Sequence, residues 1–235
     1  MDARCAVAVA TLALIAASAT TARAQETEQP SYFKTHMKVP TNALETTVST
    51  GYTQGFGMVA PGAGIGDIAQ AGMGVELGLK YRIDPWWAIG INGNYQELHG
   101  TTVAAARGVT GGIDVTYHAM PGIRVDPWLQ AGVGYRMLWQ NNDNPRPNVF
   151  THGFELLKVE VGVDWRVSPA VALGPVIGAD LNMFLWQDVA GGGANAMPSA
   201  TLNTFVWAGL QGRFDINPTY VGAGTGVTEE QAAMR

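Results

Sequence analysis

Apolar and polar side chains alternate along several stretches of the chain. In residues 71–82 the odd positions are apolar, while the even positions hold glycine, Glu76, Lys80 or Arg82. Residues 158–167 repeat this design, with valine or tryptophan at the odd positions and charge or glycine at the even ones. Because successive strand side chains point to opposite faces, this period of two predicts β-strands with one apolar face and one small or charged face.

A short repeat divides the chain into units of 42 residues. The pattern Arg-apolar-Asp/Ser-Pro occurs at residues 82–85, 124–127 and 166–169, and a partial copy, Arg-Phe-Asp, occurs at 213–215. Such a unit accommodates two strands, one tight turn at the Asp-Pro or Ser-Pro pair, and one longer loop. A helical solenoid of similar period would show apolar spacings of three and four, so the alternation by two excludes it.

Counting from the repeat predicts eight strands. They lie near residues 43–59, 70–83, 86–98, 109–124, 127–139, 153–167, 170–186 and 201–216. Tight turns near 84, 126 and 168 alternate with longer loops at 60–69, 99–108, 140–152 and 187–200. Pro121 and Pro175 fall inside predicted strands, and we expect bulges or kinks there because proline cannot donate a ladder hydrogen bond.

The alternation fits two kinds of barrel, a soluble one with apolar faces turned inward and a transmembrane one with apolar faces toward lipid. The faces opposite the apolar ones are rich in glycine, of which the chain has 30, and charged residues make up only 14% of the sequence. That composition is poor for a solvated exterior. We therefore predict an all-β fold, an eight-stranded antiparallel up-and-down transmembrane β-barrel, over residues 43–216.

Aromatic residues collect toward the two ends of the predicted strands, as in the interfacial girdles of membrane barrels. Those near the tight turns are Tyr81, Trp86, Trp87, Trp128 and Trp165. Those toward the long loops are Tyr52, Phe56, Tyr95 and Trp139. Two girdles are therefore predicted.

The first 24 residues have the order of a secretory signal peptide: Arg4, an apolar stretch at 5–17, and an Ala-Arg-Ala site at 22–24. Residues 25–42 are polar and irregular, and we interpret them as a flexible periplasmic lead-in. Residues 217–235 are interpreted as a short flexible periplasmic tail. Export combined with a barrel predicts a location in the outer membrane of a Gram-negative bacterium.

In this orientation the charged faces line a narrow lumen that side chains can fill, so we expect no continuous pore. Opposite charges are expected to pair in a network that plugs the lumen. Its predicted members are Glu76, Lys80, Arg82, Asp114, His118, Arg136, Lys158, Glu160, Asp164, Arg166, Asp180 and Arg213. Toward the long loops of the last two strands, inward aromatic side chains predict a candidate apolar pocket comprising Phe184, Trp186, Phe205 and Trp207.

Little in the sequence points to catalysis. His118 shares the lumen parity with Asp114 and Thr116, which resembles a base with its orienting acid, although a charge partner in the lumen is the simpler interpretation. No Cys/His metal spacing, phosphate loop or nucleophile elbow occurs, so we expect no enzyme activity, cofactor or metal.

Without the signal peptide, the chain has 12 basic residues (Lys and Arg) and 18 acidic residues (Asp and Glu). This negative net charge argues against a nucleic-acid partner.

With these features the chain resembles the small eight-stranded outer-membrane barrels of the OmpA-, OmpX- and OmpW-like group. The resemblance covers residues 43–216 and rests on the architecture, the Arg-apolar-Asp-Pro turns and a final strand that ends in Phe214. The 21 residues after Phe214 depart from the family pattern, in which an aromatic residue typically ends the chain. The tail is also too short for a peptidoglycan-binding domain.

The resemblance implies three kinds of function. The first is a non-enzymatic envelope protein, structural or presenting its outer loops, with a charge-plugged lumen. The second is an OmpW-like conduit or binding barrel for small hydrophobic molecules, and the third is a lipid A-modifying barrel enzyme. Expected partners are outer-membrane lipid and lipopolysaccharide together with the barrel-assembly and periplasmic chaperone machinery, and we expect a monomer.

Overall fold

The computed structural model describes residues 37–60, 62–100, 103–142, 147–190 and 192–221. The predicted signal peptide lies outside this range. In chain order the elements are β1 (Val39–Thr41), β2 (Ala43–Ala60), β3 (Ala63–Gly64), α1 (Ile65–Ile68), β4 (Ala71–Arg82), β5 (Trp87–His99), β6 (Ala105–His118), β7 (Val125–Asn141), β8 (Val149–Ser168), β9 (Val171–Val189), β10 (Gly193–Ala196), β11 (Leu202–Ile216) and β12 (Thr219–Val221). No helix within the described ranges is long and apolar enough to cross a bilayer.

Eight long antiparallel strands form a closed barrel. Each pairs with the next along the chain, in the order β2, β4, β5, β6, β7, β8, β9 and β11. The last strand then pairs with the first, from Asn203 opposite Gly57 to Ile216 opposite Leu44, which closes the cylinder. The predicted fold class, an eight-stranded antiparallel up-and-down barrel, is confirmed.

Most strand ends lie within four residues of the predicted ones, but β6 ends at His118 rather than at residue 124. The cause is the second copy of the repeat. In the first copy, the Asp84 carboxylate accepts hydrogen bonds from the backbone N–H groups of Trp86 and Trp87 and holds a tight turn. In the second copy, Asp126 already lies inside β7, so the chain reverses earlier, through residues 119–124.

The two prolines behave differently from the prediction. Pro121 lies in the turn between β6 and β7 and therefore interrupts no strand. Pro175 stays in register with Leu210 of β11, so the bulge expected there is wrong. Between the eight wall strands the register shifts lie elsewhere, between Gly132 and Gly134 of β7 and at three points where β8 meets β9.

Burial in the barrel is inverted relative to a water-soluble protein. The outer wall exposes large apolar side chains such as Leu77, Ile113 and Leu210, at 58%, 61% and 66% of their full exposure. The largest fully buried side chains are arginines, namely Arg82, Arg136, Arg166 and Arg213. An apolar exterior of this extent is stable only against lipid, which confirms the predicted orientation of the pleats.

A two-stranded ribbon extends the barrel beyond the short turns. β1 pairs with β12, from Val39 opposite Val221 to Thr41 opposite Thr219. Asn42 and Asn217 precede and follow the wall strands with φ of 47° and 53°, a left-handed conformation that asparagine tolerates. The residues nearest the barrel in the predicted flexible lead-in and tail are therefore ordered, whereas residues 25–36 and 222–235 lie outside the described part of the chain.

Glycines bring β2 and β11 close together at the seam that closes the barrel. Gly51 lies directly opposite Gly209. A Cβ atom added to Gly51 would lie 2.6 Å from the Gly209 Cα atom, and one added to Gly209 would lie 2.8 Å from the Gly51 Cα atom. Since only backbone surrounds these positions, a side chain at either one forces the two strands apart.

We therefore expect Gly51→Ala to lower the free energy of unfolding by about 1–3 kcal/mol, the usual effect of overpacking. Gly66→Ala is the matched control, because a Cβ atom there meets no heavy atom within 4 Å. Urea unfolding from lipid vesicles, followed by tryptophan fluorescence, measures both. Equal stability of the two variants would contradict close packing at the seam.

Candidate functional site in the barrel lumen

At the short-turn end, the lumen contains arginines and carboxylates paired across strands. We call this group the short-turn cluster. Arg82 Nη2 of β4 lies 2.9 Å from Glu45 Oε2 of β2, and Arg213 Nη1 of β11 donates to Asp164 Oδ2 of β8. Its members are Glu45, Arg82, His118, Asp126, Asp164, Arg166, Arg213 and Asp215. The first pair thus joins two neighbouring strands, and the second reaches past β9, which lies between β8 and β11 in the wall.

His118 lies at the centre of this cluster. Its Nδ1 atom is 3.0 Å from Asp126 Oδ2, and its Nε2 atom is 2.6 Å from Arg82 Nη2. A guanidinium can only donate, so Nε2 accepts from Arg82 and Nδ1–H donates to Asp126. The prediction that Asp114 is the acid partner of His118 is wrong, because Asp114 pairs with Lys80 at 3.4 Å instead.

His118, Asp126 and Asp164 have ligand atoms within 4.8 Å of one another, a spacing that a metal ion could use. Arginine guanidinium groups already contact this triad: Arg82 at His118 Nε2, Arg166 at Asp126 Oδ2 and Arg213 at Asp164 Oδ2. These cations supply the positive charge that a metal would bring. The geometry therefore favours an arginine-carboxylate cluster over a metal centre at this place.

A second group of charges lies further along the lumen, and we call it the mid-lumen cluster. Its members are Glu76, Lys80, Asp114, Arg136, Glu155, Lys158, Glu160 and Asp180. Lys158 Nζ lies 2.5 Å from Glu76 Oε2 and 3.2 Å from Glu160 Oε1, and Arg136 Nη1 lies 2.8 Å from Asp180 Oδ2. The structure thus places all twelve charged residues predicted for the lumen inside it.

Four acidic members of the two clusters escape the sequence pattern. Glu45 lies on the inward parity of β2, where its neighbours are threonine and serine rather than charge. The repeat predicts a turn at Asp126, but Asp126 lies in β7. Glu155 lies on the parity opposite to Lys158, but a register shift between Glu155 and Leu157 brings both side chains inside. Asp215 continues the alternating parity of Arg213, which is the one signal that could have identified it.

At the long-loop end, the lumen is apolar and filled by the chain's own first loop. α1 folds inward and buries Ile65 and Ile68 against side chains from several strands. The buried members of this apolar plug are Val59, Ile65, Ile68, Ala69, Leu98, Ala106, Leu138, Phe184 and Phe205. The Arg136 guanidinium lies 3.6 Å from the centre of the Phe205 ring and joins the plug to the mid-lumen cluster.

The prediction of the candidate apolar pocket is therefore correct for only some of its four residues. Phe184 and Phe205 meet at the plug, while Trp207 lies deeper, in contact with Trp128 and Val176. The prediction that Trp186 points into the lumen is wrong. Trp186 pairs with His152, whereas Phe184 pairs with Gly153, so Leu185 is an extra residue that turns Trp186 to the outer face.

Aromatic rings on the outer wall form belts at both ends. At the long-loop end, the Trp139 ring centre lies 4.8 Å from that of Phe150, and the Trp186 ring stacks on His152 at 5.4 Å. At the short-turn end, Trp87 packs 4.9 Å from Tyr117. Trp128 is an exception to the predicted girdle, because it is buried in the lumen and its Nε1 donates to Asp164 Oδ1 at 3.2 Å.

A closed barrel with an ion-paired lumen, an apolar outer wall and aromatic belts is the architecture of the small bacterial outer-membrane β-barrels. No family model and no curated protein matches the sequence of this chain. Its fold is similar to several solved structures of such barrels. The likeness extends over about three quarters of the chain.

Three solved structures illustrate this similarity. Neisserial surface protein A is 15% identical with a TM-score of 0.49, covering 72% of this chain and 95% of its own. The N-terminal β-barrel domain of Pseudomonas aeruginosa OprF is 13% identical with a TM-score of 0.45, covering 75% and 99%. The outer membrane protein OprG from Pseudomonas aeruginosa is 11% identical with a TM-score of 0.44, covering 74% and 98%.

Removal of one arginine tests how much the short-turn cluster stabilises the barrel. We expect Arg213→Leu to lower the free energy of unfolding by about 3–5 kcal/mol, because it leaves Asp164 buried without its cation. Arg107→Leu is the control, since the pair of Arg107 with Glu97 is exposed and contributes about 1 kcal/mol or less. Urea titration of both barrels in vesicles gives the comparison, and a loss below about 1 kcal/mol for Arg213→Leu would refute the role of the cluster.

Proposed function

We propose that this chain is a non-enzymatic protein of the bacterial outer membrane that serves as a structural envelope component or presents its long outer loops to partners. One observation carries the proposal: apart from a small cavity, buried side chains occupy the lumen from end to end. The apolar plug occupies the long-loop end, and the two charged clusters occupy the remainder. A barrel filled in this way suits a scaffold better than a pore.

The short-turn end is covered as well. β1 is buried along its whole length, and Met37 N donates to Gly122 O in the turn between β6 and β7 at 3.0 Å. Between the plug and the short-turn cluster there is a cavity of about 10 Å³, which is room for about one water molecule. These features support a lumen without solute flow.

The geometry of His118 supports a role without catalysis. A general base needs a free lone pair within hydrogen-bonding distance of its substrate. In this barrel the Nε2 lone pair of His118 accepts from Arg82, and the ring is almost fully buried. A lipid A-modifying activity therefore has no support from the pair of His118 with Asp126 in the lumen.

The outer wall supports insertion in an outer membrane. We propose that the chain is exported by its signal peptide, delivered by periplasmic chaperones and inserted by the barrel-assembly machinery. Lipid and lipopolysaccharide would then contact the apolar wall and the long-loop aromatic belt. The charged side chains of the described strands lie mostly inside, so we propose a monomer that needs no second copy to complete its lumen.

Expression of the full chain in a Gram-negative host tests this proposal. We expect the protein in the outer-membrane fraction and a faster gel migration before heating than after it, because the closed barrel resists detergent. The acyl-chain number of the host lipopolysaccharide, measured by mass spectrometry, should not change. Recovery in the soluble periplasm would contradict the membrane assignment, and a changed acyl-chain number would contradict the non-enzymatic role.

A second candidate function is the binding of a small hydrophobic molecule at the long-loop end. The observation that favours it is the apolar lining by Leu98, Leu138, Phe184 and Phe205, in which Ile65 takes the place of a ligand. If α1 lifted, this lining would accept an apolar group of similar size. Ile65 is the side chain that distinguishes a permanent plug from a displaceable one.

Binding of N-phenylnaphthylamine to the refolded barrel separates these two candidates. For a permanent plug we expect no saturable fluorescence increase with the unmodified chain and a clear increase with Ile65→Gly, which vacates the apolar site. Leu210→Ala on the outer wall is the control and should behave like the unmodified chain. Saturable binding by the unmodified chain that Phe205→Ala removes would instead favour the hydrophobic-ligand function.

A further inference from the structure

We propose that the mid-lumen cluster binds one calcium ion, held by Glu155 and Glu160 of β8 together with Asn92 and Asn94 of β5. This inference is independent of the proposed function, since both a structural barrel and a ligand-binding barrel could contain such an ion. It rests on three features of the cluster: oxygen atoms without donors, an excess of negative charge, and a cavity of the right size.

Four residues that line the mid-lumen cavity each have a buried oxygen atom that accepts no hydrogen bond from the described residues: Glu155 Oε2, Glu160 Oε2, Asn92 Oδ1 and Asn94 Oδ1. Glu155 and Glu160 are only 3% and 1% exposed. A buried acceptor without a partner is costly, and natural proteins satisfy nearly all such atoms. Four of them around one small cavity therefore indicate a ligand that needs oxygen donors.

The orientation of the two asparagines is fixed by their other contacts. Asn92 Nδ2 donates to Asp114 Oδ2 at 2.7 Å, and Asn94 Nδ2 donates to Glu76 Oε2 at 3.3 Å. Because a carboxylate only accepts, these contacts identify the amide nitrogens. The amide oxygens are therefore the atoms of Asn92 and Asn94 that are left without a partner.

The charges of the mid-lumen cluster do not balance. The cluster contains five carboxylates but only three cations. Lys80 pairs with Asp114, and Arg136 pairs with Asp180. Lys158 is shared between Glu76 and Glu160. Glu155 forms no ion pair within 4.0 Å among the described residues. The fully ionised cluster thus has an excess of about two negative charges, which one divalent cation neutralises.

The donor set favours calcium over other divalent ions. Carboxylate and amide oxygens are the ligands of hard cations, and neither histidine nor cysteine lines this cavity. Magnesium demands a near-ideal octahedron and retains several waters, whereas calcium accepts six to eight oxygen ligands in flexible geometry. Beyond the four free oxygens, Gln96 and Thr110 of the same lining would have to complete the calcium ligands. A cavity of about 10 Å³ has room for one ion but not for an ion with its hydration shell.

Access to the cavity determines how the ion must be introduced. The apolar plug covers the long-loop side, and the short-turn cluster covers the other. We therefore expect the ion to be captured as the barrel closes. The experiment must accordingly supply it during refolding rather than add it to the finished barrel.

The test is to refold the full chain into detergent micelles with CaCl₂ or with EGTA. At calcium concentrations of about 100 times Kd, we expect the Tm to rise by about 5–10 °C relative to EGTA. Refolding with Tb³⁺, a luminescent calcium substitute, should give Tb³⁺ emission on tryptophan excitation, because Trp207 lines the cavity and donates to Glu160 Oε1 at 2.7 Å. Calcium supplied in excess should suppress that emission.

Three variants assign the signal to this site. Glu155→Gln keeps the side-chain volume and should lose both the Tm rise and the Tb³⁺ emission. Glu97→Gln, at an exposed acid outside the lumen, is the matched control and should keep both. Trp207→Phe should lose the emission but keep the calcium-dependent Tm rise. If Glu155→Gln does not refold, Asn94→Ala provides the same test through an expected fall in Tb³⁺ affinity of about tenfold or more.

The proposal is overturned if calcium leaves the Tm unchanged in the unmodified chain, which would indicate that a proton or a water satisfies Glu155. An equal Tm rise with MgCl₂ or NaCl would also overturn it, since a calcium site discriminates against both. Retention of the emission and the Tm rise by Glu155→Gln would place the ion elsewhere and exclude this site.

Discussion

Each of the four arginines buried inside this barrel pairs with a carboxylate, and the rest of the structure depends on that pairing. The lumen is too narrow for bulk water, so an unpaired arginine there would remain largely desolvated. Arg82 finds its carboxylate on β2, Arg166 on β7 and Arg213 on β8. Because these pairs bridge different strands, a slip of one residue in any of them would turn charge toward lipid and break several pairs at once.

Large and small side chains complement one another around these charges. Trp128 and Trp207 occupy the lumen only because the wall opposite them is glycine: a Cβ on Gly178 would lie 2.6 Å from Trp207 Nε1, and one on Gly162 would lie 2.9 Å from Trp128 Nε1. The glycine richness that first indicated a membrane barrel is thus explained by space inside the lumen. It also lets both indole N–H groups reach carboxylates, Asp164 and Glu160.

The strands and the orientation of their faces could be predicted because a period of two is a direct consequence of strand geometry. Irregularities of a single residue could not be predicted from the sequence. One extra residue at Leu185 moves Trp186 from lumen to lipid, and a register shift brings Glu155 to the inside. The inward fold of α1 also has no periodic signature, because a four-residue helix is too short to show one. The repeat gave a wrong prediction at Asp126, because the same sequence motif lies in a strand there and not in a turn.

The ribbon of β1 and β12 joins the segments that enter and leave the barrel, which lie nearly the whole described chain apart in sequence. Joining such distant partners is the slowest kind of contact to form, since a long loop must close first. The three residue pairs of the ribbon lie beyond the wall strands and lengthen the seam that closes the barrel. The ribbon therefore extends the pairing of the first and last strands. This added pairing opposes fraying of the sheet at the end of the seam where the barrel closes.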